Sequence, residues 1–248
     1  RQDSAHVAAF LAGARGASPI MCELAGRTLE NGYGFGRVEP VLDVVQGPGR
    51  ETVRWAMRTI RGAAVAAQLR VGLADADPCV RRMAARLHGH LDSGAVLEGL
   101  RPLLRDPSVT TRETAALALG FAEDQRAVTW LVNALMDSVA TVRATAAWAL
   151  GMIDSAVTLE PLTSMLDDGD ARVRASAAWA LGEIENIRSV PPLAQALKDR
   201  DAGVRRNAAW ALGQIQHPTA VGPLTTALRE DTDPEVRRAA AWALGNLN

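Results

Sequence analysis

Lysine and aromatic residues are scarce in this chain, and charge of one sign does not prevail. Lys198 is the only lysine among 27 basic residues, aromatic residues make up 4% of the 248 positions, and the formal net charge is −1. Because no global positive field is present, the composition argues against a nucleic-acid partner. No apolar run approaches the roughly 20 residues that span a bilayer, so we expect no membrane insertion.

Cysteine is also rare, with only Cys22 and Cys79, and the two are not spaced as a CxxC pair. A single bridge between them and two buried free thiols are both open interpretations. The chain begins with Arg1 and not with Met, which indicates a processed or excised piece. We expect a bacterial protein that is cytoplasmic, or periplasmic or otherwise extracytoplasmic if a signal or anchor was removed before Arg1.

Sequence patterns of known catalytic and cofactor sites are missing. The chain contains no HExxH, no GxSxG, no P-loop and no Cys/His cluster. His88 and His90 lie two residues apart on a predicted helix and point to different faces, which makes them a poor metal pair. The segment GYGFG has no strand before it and no GK[ST] after it, so it does not indicate a phosphate loop. We therefore predict no catalytic residue, no metal and no cofactor.

What the chain has in abundance is one repeated helical sequence. The hexapeptide AAWALG occurs at 146–151, 177–182, 208–213 and 240–245. Glycines that end related segments continue the period upstream, mostly at 31 residues with one shorter step of 27. These glycines are Gly62, Gly89, Gly120, Gly151, Gly182, Gly213 and Gly245. A period of this length predicts a solenoid, in which each unit buries its apolar side only against its neighbours.

Each unit is predicted to contain two helices. The first helix is short, as in EPLTSML, PPLAQAL and GPLTTAL, and it has a proline near its start, where a missing N–H is tolerated. An acidic turn such as DDGDA then brings carboxylates to the start of the second helix, where the helix dipole favours negative charge. In the second helix, VRxxAAWALGxI, the residues Val, the first Ala, Leu and Ile recur at helical spacing and predict the core stripe.

These segments resemble HEAT repeats of the phycobilin-lyase-like type. The pattern Asp-Pro-x-Val-Arg-x-x-Ala-Ala-x-Ala-Leu-Gly-x-Ile is matched closely over 129–247 and loosely over 38–128. The resemblance implies an all-α fold, a right-handed α-solenoid of about seven stacked HEAT-like helix pairs with the second helices on its concave surface. Residues 1–36 depart from the pattern, and we expect a divergent N-terminal helical cap with a Gly-rich loop there, followed by the repeat solenoid of 37–248.

An arginine follows the first valine of each second helix. A repeated arginine can capture phosphate or carboxylate ligands, but acidic turns lie beside it here, and we favour a structural Arg–Asp ladder between units. The arginines are Arg143, Arg174, Arg205 and Arg237. The candidate partners are Asp168, Asp170, Asp199 and Asp201.

The helical wheel places the recurring tryptophan outside the core stripe. At about 100° per residue from Val142, the core residues fall within roughly 80° and Trp148 falls at about 240°. Trp179, Trp210 and Trp242 repeat this geometry. Two interpretations are open: each indole covers the joint with the next unit, or it stays partly exposed and anchors a partner.

Other positions on the tryptophan-bearing side differ between units. Repeat proteins vary their partners through such positions on a constant scaffold, although neutral drift of a solvated surface would look the same. In addition to the four tryptophans, the predicted partner-binding residues are Glu183, Arg206, Asn207, Gln214 and Arg238.

These features predict a noncatalytic scaffold that binds a protein or peptide on its concave surface. A bilin-lyase-like enzyme or enzyme subunit is the alternative that the resemblance implies, but no nucleophile or acid–base pair transfers residue by residue. A regulatory or sensor domain cut from a larger protein is a further alternative. No polar capping unit follows the last tryptophan helix, so a homodimer through the C-terminal repeat is a further expectation.

Overall fold

A computed structural model describes residues 2–18, 20, 22, 63–89, 91 and 97–247 of the chain. These residues form α-helices and short 3-10 helices, with no strand among them. The predicted Gly-rich loop, most of the predicted helix around PIMCELAGRTLE and the boundary between residues 36 and 37 lie outside the described residues, as does His90. The N-terminal cap therefore stays a prediction.

The helices follow one another in the order that the repeat predicts. The α-helices of the described residues are α1 (Gln2–Gly13), α2 (Ala63–Leu73), α3 (Pro78–Gly89), α4 (Val109–Phe121), α5 (Val128–Ala134), α6 (Ala140–Ile153), α7 (Leu159–Ser164), α8 (Ala171–Glu183), α9 (Val190–Ala196), α10 (Ala202–Ile215), α11 (Val221–Glu230) and α12 (Pro234–Asn246). The 3-10 helices are Arg101–Arg105, Gln125–Ala127, Ala156–Thr158, Met165–Asp167, Ile187–Ser189 and Pro218–Ala220.

The chain divides into two compact units, Arg1–Ala122 and Glu123–Asn248. In the first unit, α1 packs on α2, α2 on α3, and α3 on α4. In the second unit, α5 to α12 form four helix pairs, and the second helix of each pair packs on the second helix of the next, in the order α6, α8, α10 and α12. The predicted all-α solenoid of stacked helix pairs is confirmed.

The predicted core stripe is buried. In α6, Val142, Ala146, Ala149 and Leu150 have no solvent-exposed surface, and the corresponding residues of α8 and α10 are equally buried. The first helix of each pair contributes one fully buried leucine to the same layer. These leucines are Leu131, Leu162, Leu193 and Leu224. A period of 31 residues thus places the same small and branched side chains in every layer.

Acidic turns precede the second helices, as expected. Two of their aspartates do not bind the recurring arginines, as was predicted, but cap the helices. The Asp170 carboxylate accepts a hydrogen bond from the backbone N–H of Arg172 at 2.9 Å, and the Asp201 carboxylate accepts from Gly203 at 2.8 Å. Both aspartates therefore cap helices, where a carboxylate satisfies free N–H groups. The prediction that Asp170 and Asp201 bind the recurring arginines directly was therefore wrong.

The helices α4, α6, α8 and α10 each end beside a residue in the left-handed backbone region. The φ angles of Glu123, Asp154, Glu185 and Gln216 are 47°, 47°, 49° and 52°, and the four residues are spaced by 31. This conformation ends the helix and turns the chain into the 3-10 helix of the next unit. No sequence signal predicted it, because Gly and Asn are the residues usual at such a position.

Candidate partner-binding face

The recurring tryptophans form a stack along the second helices. The ring centroids of Trp148 and Trp179 lie 6.3 Å apart with an interplanar angle of 17°, and those of Trp179 and Trp210 lie 6.3 Å apart at 13°. Trp242 does not join this stack, and 43% of its surface is exposed. The helical wheel therefore predicted the direction of these side chains correctly, while their mutual contact comes from the spacing of the helices.

Trp179, Trp210 and Trp242 each also pack on the glycine near the end of the preceding second helix. A Cβ atom added to Gly182 would lie 2.7 Å from the Cα and Cβ of Ala211 and 2.8 Å from Cζ3 of Trp210. Gly151 and Gly213 have the same environment, formed by the next alanine and tryptophan along the chain. Glycine, alanine and tryptophan of the AAWALG segment therefore recur together: the glycine lets two helices approach closely, and the indole of the next helix covers their contact.

The stack leaves part of each indole accessible. Trp148, Trp179 and Trp210 are half-buried, whereas the alanines on either side of them in sequence are fully buried. The two interpretations of the tryptophans are thus compatible, since one edge of each ring seals a joint and another part faces solvent. We call the surface formed by these three rings and Trp242 the Trp face.

Two of the predicted partner-binding residues place positive charge beside the Trp face. Arg206 and Arg238 lie one helical turn before Trp210 and Trp242 and are both exposed. Arg206 makes no ion pair within the described part of the chain, and Arg238 contacts Glu235 of its own helix. The corresponding positions of α6 and α8 hold alanine, so the positive charge is confined to the C-terminal half of the Trp face.

The remaining predicted residues differ in how available they are. Asn207 donates a hydrogen bond from Nδ2 to the backbone oxygen of Ala175 at 2.9 Å, so part of this side chain ties two second helices together. Gln214 is half-buried, one helical turn after Trp210. Burial raises the pKa of Glu183, and the nearby carboxylates of Glu185 and Asp154 raise it further. None of these contacts identifies a ligand.

The recurring arginines form the predicted ladder, with partners one layer further along the chain. Arg143 donates from Nε and Nη2 to both carboxylate oxygens of Asp168, at 2.8 and 2.9 Å. Arg205 binds Asp231 in the same way, at 2.7 and 2.9 Å. Asp168 was correctly predicted as a partner, whereas Asp231 was missed. The structural interpretation is confirmed for Arg143, Arg174 and Arg205, because each of them binds an aspartate of the next helix pair.

Ladder aspartates hold several partners at once. Arg143 lowers the pKa of Asp168 through its hydrogen bonds, and Arg205 does the same for Asp231. The backbone oxygen of Asp168 also accepts from Nη1 of Arg174 at 2.8 Å, and its carboxylate accepts from the N–H of Asp170. One residue therefore joins two arginines from successive layers.

The first unit contains the disulfide, which links Cys22 to Cys79 near the start of α3 with a Cα–Cα distance of 5.6 Å. Both cysteines are buried. The open choice between a bridge and two free thiols is thus resolved in favour of the bridge. Close by, Arg15 binds Asp75 at 2.6 Å, and the backbone N–H of Gly16 donates to Asp77. The segment after α1 is therefore held to the turn between α2 and α3 by covalent and polar contacts.

A buried histidine lies on α3 of the same unit. His88 is 2% exposed, and burial together with the positive charge of Arg70 lowers its pKa to about 4. Arg86 lies on the same helix, with its guanidinium 5.1 Å from the centre of the Phe121 ring. Among the described residues, no group of three or more His, Cys, Asp or Glu side chains is arranged to hold a metal ion. None of the described helices is both long and apolar enough to cross a lipid bilayer.

HEAT repeats match most of the chain. The matches cover residues 63–151, 97–182, 128–209 and 190–248, which together span 63–248. The chain belongs to the HEAT-repeat family. A comparison with curated proteins finds no match.

Solved structures show the same fold. One engineered protein is 23% identical over 73% of this chain and 96% of its own length, with a TM-score of 0.51. A second engineered protein is 23% identical over 74% of this chain and 98% of its own, with a TM-score of 0.50. The complex of CpcE and CpcF of phycocyanin lyase from Nostoc sp. PCC7120 is 20% identical over 94% and 97%, but its TM-score of 0.45 carries no inference about activity.

Proposed function

We propose that this HEAT-repeat protein is a noncatalytic scaffold that binds a peptide or protein segment on its Trp face. The observation that carries the proposal is a row of half-buried tryptophans that ends at the exposed ring of Trp242, next to two exposed arginines. Tryptophan and arginine are the residues most often found at the energetic centre of protein interfaces. A contiguous aromatic strip on a protein surface is also a common mark of an interaction site.

The test must separate binding from folding, because the stacked tryptophans also seal the joints between helices. Trp242 suits this purpose, since it lies outside the stack and is the most exposed of the four. Arg206 suits it as well, since it is exposed and makes no ion pair with any residue that the structure describes. Trp242→Ala and Arg206→Glu are therefore the informative variants, and Arg229→Glu on α11 is the matched surface control.

The experiment selects ligands for the immobilised full chain from a random-peptide library and measures their affinity by fluorescence anisotropy. We expect Trp242→Ala to weaken binding about thirtyfold, as for a hot-spot residue, and Arg206→Glu to weaken it about tenfold. Arg229→Glu should leave affinity unchanged. Urea unfolding of each variant shows whether the fold is retained. Equal affinity of the selected peptides for all variants, or a failure to enrich any peptide, would contradict the proposal.

The Cys22–Cys79 bridge supports a location outside the cytoplasm. Disulfides persist in oxidising compartments and are rare where thiols are kept reduced. We therefore propose that the protein acts in the periplasm or another extracytoplasmic space. Mass spectrometry of the protein from intact cells, alkylated before lysis, tests this location. Free Cys22 and Cys79 in that sample would contradict it.

A further inference from the structure

Three rings of the Trp face repeat at a short and constant distance. The ring centroids of Trp148, Trp179 and Trp210 follow one another at 6.3 Å, with interplanar angles of 17° and 13°. Each of the three rings is half-buried, so each layer leaves part of one indole accessible. All three lie on second helices that are followed by another second helix, and their exposure is therefore that of internal layers.

An extended chain matches this repeat. Alternate side chains of an extended segment point to the same side and lie about 6.6 Å apart. In an α-helix, side chains four residues apart are separated by about 6 Å along the axis, but each is turned by about 40° from the previous one, so the third leaves the row. A polyproline II helix repeats after about 9 Å, which is too long for neighbouring rings. The three rings therefore fit three alternate side chains of an extended segment.

A row of short polar side chains lies beside the three rings. Thr145, Ser176 and Asn207 each stand three residues before the tryptophan of their helix and are half-buried. The hydroxyls of Thr145 and Ser176 make no hydrogen bond to any residue that the structure describes, and Asn207 uses only Nδ2, on the backbone oxygen of Ala175. An extended backbone needs such partners, because its N–H and C=O groups are not paired within the segment as those of a helix are.

The two sides of the tryptophan row carry opposite charges. Arg206 lies one helical turn before Trp210, is exposed and makes no ion pair within the described part of the chain. Glu183 lies one helical turn after Trp179, on the opposite side of the row. The positions of α6 and α8 that correspond to Arg206 hold alanine. An acidic group of a ligand is therefore attracted to the Arg206 side, at the α10 end of the three rings.

We propose that the Trp face binds an extended acidic peptide segment. Three alternate apolar side chains of the segment lie on Trp148, Trp179 and Trp210, and an aspartate or glutamate next to the last of them binds Arg206. A helix offers neither this spacing nor free backbone groups for the polar row, and a basic segment would meet the charge of Arg206. The inference rests on the proposed function and adds the conformation, spacing and charge of the ligand to it.

The test selects peptides from a random library on the immobilised full chain and, in parallel, on Arg206→Glu and on the surface control Arg229→Glu. We expect the wild-type and control pools to share one pattern, with apolar residues at alternate positions and an acidic residue next to one end of the series. The Arg206→Glu pool should keep the alternation and carry a basic residue in place of the acidic one. Circular dichroism of each variant shows whether the fold is retained.

Affinities of one enriched peptide, measured by fluorescence anisotropy, test the ionic contact directly. Glutamine in place of the acidic residue of the peptide should weaken binding to the wild type about fivefold, as for an exposed ion pair, and Arg206→Gln should do the same. Both changes together should cost no more than one of them, because they remove the same contact. With Arg229→Gln as the control, the peptide change should still cost about fivefold.

The spacing is tested with a peptide of the same composition whose apolar residues stand at every third position. It should bind about tenfold more weakly, because only one of its apolar side chains can then reach a ring at a time. Equal affinity of this peptide, an acidic preference that Arg206→Glu leaves in place, or independent losses in the double change would each overturn the inference. If Trp242→Ala still weakens binding in that case, the proposed function stands. A failure to enrich any peptide would contradict both.

Discussion

Arg174 reaches across the joint between two helix pairs and donates Nε and Nη2 to both carboxylate oxygens of Asp199, at 2.7 and 2.9 Å. The Arg174 side chain is 6% exposed, which makes this the most enclosed arginine of the ladder. Because Nη1 also bonds the backbone oxygen of Asp168, the guanidinium is almost fully used. Removal of one partner would leave the other charge enclosed and unpaired.

We expect Arg174→Ala to lower the free energy of unfolding by about 3 kcal/mol, since breaking a buried pair strands a charge. Arg172 is the matched control: it lies two residues away and is exposed, with its ion pair to Asp170 at the surface. Arg172→Ala should cost less than about 0.5 kcal/mol. Urea unfolding followed by circular dichroism gives both values, and similar losses for the two variants would show that the ladder does not stabilise the joints.

Gly182 and Gly245 should respond to alanine with opposite signs. At Gly182 the new Cβ would clash with Ala211 and Trp210, so the helices must separate, at a cost of about 1–3 kcal/mol. At Gly245 the Cβ has open space, and alanine should raise stability by up to about 1 kcal/mol through its higher helix propensity. Denaturant unfolding of the two variants measures the difference. A loss at Gly245 as large as that at Gly182 would show that close approach to Ala211 and Trp210 does not set the cost at Gly182.

His88 should make the first unit sensitive to mild acid. Its pKa is lowered to about 4 in the folded chain, whereas an unfolded histidine titrates near 6.5. The unfolded state therefore binds more protons between these values, so the stability that this group contributes is present above about pH 6.5 and is lost as the pH falls toward 4. The loss should reach about 2–3 kcal/mol at pH 4.

His88→Leu supplies the comparison for that titration. The variant should lack the loss, so its stability should fall less than that of the wild type when urea unfolding is followed from pH 7 to pH 4. Parallel curves for the two proteins would show that His88 does not titrate in this range.

Reduction of the Cys22–Cys79 bridge should weaken the first unit. The bridge spans 57 residues, and a crosslink of that length stabilises by up to about 4 kcal/mol by restricting the unfolded chain. We expect a reducing agent to lower the thermal midpoint of the wild type, and a double variant with serine at both positions to have the lower midpoint from the start. A wild-type midpoint that does not change on reduction would contradict the expectation.

The repeat carries most of the information that predicts this fold. Val142 and Leu150 recur at positions that only one side of a helix can share, so the core follows from the period alone. The direction of Trp148 follows in the same way. Its stacking on Trp179 does not, because a helical wheel describes one helix and contains no distance to the next.

The contacts that the sequence did not predict have similar explanations. Asp231 was not predicted as a partner of Arg205, because the last repeat is one residue longer and the separation is 26 where the earlier layers have 25. Asp201 was predicted as an arginine partner because the sequence alone does not distinguish an aspartate that caps a helix from the ladder aspartate two positions earlier. Cys22 lies before the repeats, so no period relates it to Cys79. The prediction that Arg206 and Gln214 contact a partner stays a prediction.

The ladder also determines which deletions the fold can accept. Loss of residues 168–198 would bring Asp199 into the place of Asp168, opposite Arg143, and Ala211 into the place of Ala180, opposite Gly151. Every joint would be rebuilt from matching groups. A deletion that does not remove a whole number of repeats would turn the following tryptophans to a different side of the helix stack and leave Arg143 without a carboxylate. Duplication or loss of whole repeats therefore preserves the Arg–Asp pairs and the close helix contacts in every layer. The gene of such a protein can gain or lose one repeat at a time without loss of the fold.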